Sequence, residues 1–292
     1  MLLPKFDFHE PATLNEAIDI LLHLGSGAKL IAGGTDLLPN MKKRVLSPAH
    51  LVSLERIDEL NHLDVSNGRI HLGAGLTVSE LAQSETLKKN LGAFTKGAGS
   101  LGSPLIRNRA TLAGNLITAR PAADLPPSLM VYGASVVLKR PGNERTVPLK
   151  NFFTGPGETV INADEILSGV HLPAPPPHTG ADYIKLGVRE ALSIALVNAA
   201  AFLSLTAPDG TIEKARIVLG AVAPTPLRAV SAEKILLGEK PSPALFEKAA
   251  REAVKDCRPI DDFRGSAEYR TAMVEVLTRR TLAAAHETAC LS

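Results

Sequence analysis

Two short stretches of small residues carry the groups in this sequence best suited to chemistry. Thr111-Leu-Ala-Gly-Asn115 follows an apparent turn and leads into Asn115-Leu-Ile-Thr118, so the main chain there can approach a ligand closely. Backbone N–H groups without side-chain cover suit a phosphate. Leu30-Ile-Ala-Gly-Gly-Thr-Asp-Leu37 is the second stretch; it follows a strand-like run and precedes a helix-like segment, with Thr35 and Asp36 as candidate caps. One such stretch is more often a turn than a phosphate cradle. Two of them point to a pyrophosphate held by separate backbone loops.

Other chemistries find little in the residues. The eight histidines sit singly, without HxxxH or CxxC spacing, and no serine stands in GxSxG. The AGGTD segment lacks the GxGxxG spacing of a Rossmann fingerprint and is not followed by regular βαβ alternation. Cys257 and Cys290 are too few for a four-cysteine cluster or a multi-bridge disulfide framework, which is compatible with a reducing compartment. A net charge of +2 argues against a polyanionic partner, and Lys42-Lys43-Arg44 reads as a solvated helix end. No apolar run reaches the ~20 residues of a membrane span, and MLLPKFDFHEP lacks a signal-peptide core. A cytoplasmic location is the expectation.

The elements that must position the two loops follow from capping and periodicity. Thr13 and Glu16 open a short amphipathic helix that stops at Gly25, and Lys29 to Ala32 reads as a buried strand running into the first loop. Leu51 to Leu54 is a further strand, Asp64 to Gly73 a hairpin closed by Asn67-Gly68, and Thr77 to Glu80 a second capping box whose helix is expected to reach Asn90. Helices are expected over 91–100 and 126–132, a hairpin over 134–149, and a strand over 165–172. Pro173-Ala-Pro-Pro-Pro177 continues neither a helix nor a central strand and marks the best boundary. Beyond it, 183–188, 197–206 and 211–222 read as three antiparallel strands, and 230–237, 243–256 and 266–286 as helices.

Taken together, AGGTDLL (32–38) and IRNRATLAGNLITARPAADLPPSLM (106–130) resemble the FAD-binding subunits of molybdenum hydroxylases, the family of xanthine dehydrogenase and aerobic carbon monoxide dehydrogenase. The likeness extends through GEKPSPALFEKAA to EYRTAMVEVLTRR. It implies an α+β fold: a two-lobed FAD-binding region of mixed small sheets and helices (1–56 and 57–175), then a three-stranded antiparallel sheet with a three-helix bundle (176–292). It also implies one non-covalently bound FAD. Leu30, Ile31, Ala32, Gly33, Gly34, Thr35, Asp36 and Leu37 would wrap its pyrophosphate from one side, with Lys29 beside them as a further cofactor-binding residue, and Thr111, Leu112, Ala113, Gly114 and Asn115 from the other. Asp124 would accept hydrogen bonds from ribose or ribityl hydroxyls. Leu101 matches a position packed on the cofactor, Leu167 one at the adenine end, and Lys185 one near the isoalloxazine, where its charge would favour the reduced anion.

Two departures from the family pattern stand out: Ala113 occupies a place where many relatives have glycine, and Ala191-Leu-Ser-Ile194, the segment that covers the flavin ring, is small or apolar. The function implied is an electron-transferring flavoprotein subunit, served by an iron–sulfur small subunit and a molybdopterin-binding large subunit in a dimer of heterotrimers. Iron–sulfur clusters and the molybdenum cofactor are expected only on those partners. The alternatives are a stand-alone FAD oxidase or dehydrogenase and a non-catalytic nucleotide-binding assembly protein.

Overall fold

A computed structural model describes residues 2–292. The N-terminal part is a small parallel sheet. Strands β1 (Asp7–His9), β2 (Ala28–Ile31) and β3 (His50–Ser53) lie in the order β1-β3-β2, and helices α1 (Leu14–Leu24) and α2 (Leu37–Lys42) belong to the same part. Thr13 caps α1 by accepting from the Glu16 N–H, and Glu16 reaches back to the Ala12 N–H, so the expected capping pair is present one residue out of register. Gly25, at φ 56, ends the helix.

The second part is built on an antiparallel sheet of order β4-β5-β10-β6-β7. Its chain runs β4 (Leu63–Ser66), β5 (Arg69–Gly73), α3 (Val78–Gln83), α4 (Glu85–Asn90), α5 (Gly92–Ser100), α6 (Pro104–Arg107), α7 (Leu112–Ile117), α8 (Leu125–Met130), β6 (Ser135–Arg140), β7 (Asn143–Pro148), the small hairpin β8 (Phe153–Gly155) with β9 (Glu158–Thr159), and β10 (Ile166–Pro173). The single helix expected from Val78 to Asn90 is broken at Ser84, whose hydroxyl caps α4 by accepting from Leu87 N–H. Helix α6 was not expected; Ser103 caps it and Pro104 sits in its first turn.

The C-terminal sheet runs β11 (Thr179–Leu186), β12 (Val197–Leu205), β13 (Ile212–Gly220) and β14 (Leu227–Arg228), all antiparallel, followed by α9 (Val230–Leu236), α10 (Pro243–Val254) and α11 (Ala267–Leu291). The sequence showed three of these strands; two-residue β14 is too short to leave a periodic signal. Every residue of β12 is buried. Val197, Ala199, Ala201 and Leu203 pack into the core shared with α9–α11, whereas Ala200 and Phe202 join the core of the preceding sheets. The central strand therefore ties the C-terminal part to the rest by hydrophobic burial on both faces.

Candidate functional site

A cavity of about 1350 Å³ opens where these parts meet, lined by the β2–α2 turn, α7, the segment 120–124, the start of β10, and residues 192–195, 221–224 and 258–270. It exceeds the roughly 300–1,000 Å³ common for small-molecule pockets and suits an extended dinucleotide-sized ligand.

The β2–α2 turn gives the cavity its phosphate chemistry. The N–H groups of Gly33, Gly34, Thr35, Asp36 and Leu37 have no hydrogen-bond partner among the described residues, and all five residues line the cavity. Gly34 takes φ +69, a left-handed conformation that a side chain disfavours, and a Cβ there would also press on Leu38 at 3.1 Å. Gly33 serves packing instead: a Cβ on it would stand 1.7 Å from the Arg109 carbonyl oxygen, so this glycine lets the first loop lie against the approach to the second. Five consecutive unspent amides on the cavity wall are the kind of group that suits an anion.

The second loop works differently from the sequence expectation of bare amides. It is the start of α7, and its N–H groups are spent. Leu112 donates to Leu76 O (2.9 Å), Ala113 to Ala74 O (3.0 Å), Gly114 to the Thr111 hydroxyl (3.2 Å) and Asn115 to Thr111 O (3.1 Å). These bonds fix α7 onto the segment before α3. What the loop offers the cavity is the Asn115 side chain, whose Oδ1 is buried without a partner. An unpaired buried acceptor costs about 1–3 kcal/mol, so a ligand donor is the natural complement. Ala113 lines the cavity in place of glycine, and its amide is already committed, so its methyl obstructs no free donor.

Of the residues expected at the site, Lys29 to Leu37, Leu101, Thr111, Ala113, Gly114, Asn115, Asp124 and Leu167 line the cavity. Leu112 does not: it is fully buried in the hydrophobic core. Lys185 is likewise absent from this wall and lines a neighbouring pocket of about 420 Å³. Its ammonium donates to Asp124 Oδ2 (2.8 Å) and Ser100 O (3.0 Å), and the Tyr183 hydroxyl donates to Asp124 Oδ1 (2.8 Å). Burial pushes the Asp124 carboxyl upward, partly offset by Lys185 and Tyr183, and burial together with the Asp124 charge raises the Tyr183 phenol well above its ordinary range. Both Asp124 oxygens are thus engaged, leaving each one further lone pair for a ligand hydroxyl. The Lys185 charge is cancelled by its partner.

Part of the lining lies outside the residues expected from the sequence. Glu165 is buried in a bidentate pair with Arg145 (2.6 and 2.8 Å), which holds its carboxyl below the usual range against the opposing effect of burial. Arg258, Ile260, Asp262, Arg264 and Arg270 close the C-terminal wall, and Ala221 enters it at φ 63. Burial raises the Asp262 carboxyl, but the Arg264 amide and the Arg270 and Arg264 guanidiniums outweigh it and hold the group below its ordinary range. The EYR segment containing Arg270 was the one sequence signal for this wall.

Comparison with known proteins identifies the family. The model of the FAD binding domain in molybdopterin dehydrogenase matches residues 4–175, and that of the CO dehydrogenase flavoprotein C-terminal domain matches residues 182–285. The chain is 34% identical to the carbon monoxide dehydrogenase medium chain of Hydrogenophaga pseudoflava, over 98% of each chain. It is 30% identical to the xanthine dehydrogenase FAD-binding subunit of Escherichia coli O157:H7, over 96% of this chain and 97% of the other. A solved structure of carbon monoxide dehydrogenase from Hydrogenophaga pseudoflava superposes with a TM-score of 0.93 at 35% identity, covering 98% of both chains.

Proposed function

The chain belongs to the family of FAD-binding subunits of the molybdenum hydroxylases, and from that premise we propose how its own residues serve FAD. The protein is the flavoprotein subunit of an oxidoreductase complex whose iron–sulfur and molybdenum centres reside on other subunits. It takes electrons from the iron–sulfur subunit and passes them to an external acceptor. Bound FAD supplies the two-electron redox chemistry.

The observation that carries the assignment of residues is the row of five unspent amides at Gly33 to Leu37, which line the same dinucleotide-sized cavity as Asn115 with its unpartnered oxygen. The amides hold the pyrophosphate. Asn115 accepts from a cofactor hydroxyl or amine, Asp124 uses its remaining lone pairs on ribose or ribityl hydroxyls, and Leu101 and Leu167 pack on the apolar surfaces. The remaining residues of the first loop, Lys29 to Ala32, shape the wall beside the phosphate. Residues 1–56 and 57–175 then act as two cofactor-binding lobes, with 176–292 closing the ring end.

Among the described residues, the buried carboxylates Asp124 and Glu165 of the wall are each committed to a cation. This supports an electron-transfer subunit over a stand-alone enzyme. In its cytoplasmic setting it works as part of a dimer of heterotrimers with the small and large subunits. The test assays the purified chain with FAD against purines, aldehydes, N-heterocycles and acyl thioesters, and then the reconstituted complex. The isolated chain should accept electrons from an artificial donor and oxidise none of these compounds. Turnover by the isolated chain would promote the stand-alone enzyme instead.

A further inference from the structure

Arg270 lies near the start of α11, is 3% exposed, and lines the cavity. Its Nη1 donates to Leu196 O (3.0 Å) and Ala221 O (3.2 Å). Nη2 is ion-paired with Asp262 Oδ1 at 2.7 Å, and Nε is a buried N–H without a hydrogen-bonded acceptor among the described residues. A buried guanidinium left partly unpaired is costly, and Arg270 is part of the cavity wall. Charge points the same way. Asp262 is shared with Arg264 (2.8 Å), so two guanidiniums face one carboxylate, and Arg258 beside them donates only to the carbonyls of Lys255 and Cys257. This part of the wall keeps net positive charge, whereas the Lys185 ammonium in the neighbouring pocket is neutralised by Asp124.

We propose that Arg270 is the cation that faces the flavin ring and stabilises its reduced, anionic form, the role that resemblance alone gave to Lys185. The proposal rests on the FAD reading above. The covering segment Ala191 to Ile194 is separated by Ala195 alone from Leu196, whose carbonyl Arg270 holds, and the Leu192 N–H donates to Gly102 O (3.2 Å), both residues lining the cavity. Arg270 therefore belongs to the ring end of the cavity, away from the phosphate end at Gly33 to Leu37. Reduction of the bound flavin takes two electrons from the iron–sulfur subunit and one proton from solvent, leaving one negative charge on the ring. A fixed, buried N–H donor favours that charge with little reorganisation.

The experiment is a spectroelectrochemical titration of FAD bound to the purified chain, with dithionite as reductant and FAD occupancy and melting temperature recorded alongside. Arg270→Met should lose at least tenfold in preference for reduced over oxidised FAD, about 30 mV for a two-electron couple. Asp262→Asn, which unmasks the shared charge, should shift the potential upward by a comparable factor. Lys185→Met should change the preference less than threefold, because Asp124 takes up a proton once its partner is gone. If Arg270→Met fails to hold FAD, Arg270→Lys decides with Asp262→Asn: the lysine variant should stay within threefold of the native potential. An Arg270 that only braces the wall would change occupancy and melting temperature but leave the potential of every variant that binds FAD within threefold, and that result would overturn the proposal. So would a downward shift in Asp262→Asn, or a larger effect at Lys185 than at Arg270. Failure of the native chain to bind FAD would sink the underlying FAD reading instead.

Discussion

Gly33 and Gly34 are adjacent and alike in sequence, but the structure uses them for different ends. Gly34 sets a left-handed turn among the unspent amides, so Gly34→Ala should cost about 1–2 kcal/mol of conformational strain and misaim the phosphate donors. Gly33→Ala drives a methyl into the Arg109 backbone and should lower the melting temperature more than Gly34→Ala does. Asn115→Ala separates binding from folding. Its Oδ1 has no internal partner, so thermal stability should hold while FAD affinity falls by about 1–3 kcal/mol in a fluorescence titration. Loss of melting temperature without loss of affinity would assign Asn115 to the scaffold. The glycines, Asn115 and Asp124 were legible as residue types. Which amides are free was not, because that depends on the Ala74 and Leu76 carbonyls, remote in sequence from the loop they cap.

Capping signals served well at the level of elements. Thr13 and Thr77 each begin the helix their spacing predicts, since a side-chain cap is local in sequence. Helix α6 and strand β14 were missed because each is shorter than the window a periodicity needs. Arg145 and Glu165 brace the β7 side of the cavity through a pair that no sequence spacing reveals. Arg145→Met should cost about 3 kcal/mol in urea denaturation, the low end for a broken buried pair because Arg145 is itself half exposed. On β5, His71 stacks on His62 (4.4 Å) and meets His171 (4.4 Å), with Asp64 and Lys139 also facing it. Burial first, and then the neighbouring imidazoles, push it down to about 4. Its unfolded value is higher, near 6.5, so the unfolded chain takes the proton first. The stability His71 contributes is therefore complete above about pH 6.5 and declines as pH falls toward 4. Urea midpoints should drop across that window in the native chain and less in His71→Gln; parallel curves would remove His71 as the cause.

For the molecule as a whole, the sequence showed the Pro-rich crossing at 173–177 and the change from mixed helices and strands to a sheet followed by helices. It did not show that one hydrophobic core runs from α1 through Phe202 and Val218 of the C-terminal sheet. Burial on both faces of β12 makes the cavity walls parts of a continuous structure, which is how residues as distant as Gly33, Asn115 and Arg270 come to line one space. Among the described residues, no helix is long and apolar enough to cross a membrane. The most direct measurement is a calorimetric titration of the chain, stripped of cofactor, with FAD and separately with FMN. One FAD should bind per chain, and FMN, lacking the diphosphate bridge that the Gly33 to Leu37 amides would grip, should bind about a hundredfold more weakly, a difference of ~2.7 kcal/mol. Equal affinity for the two flavins, or no binding of either, would contradict a site built on a pyrophosphate.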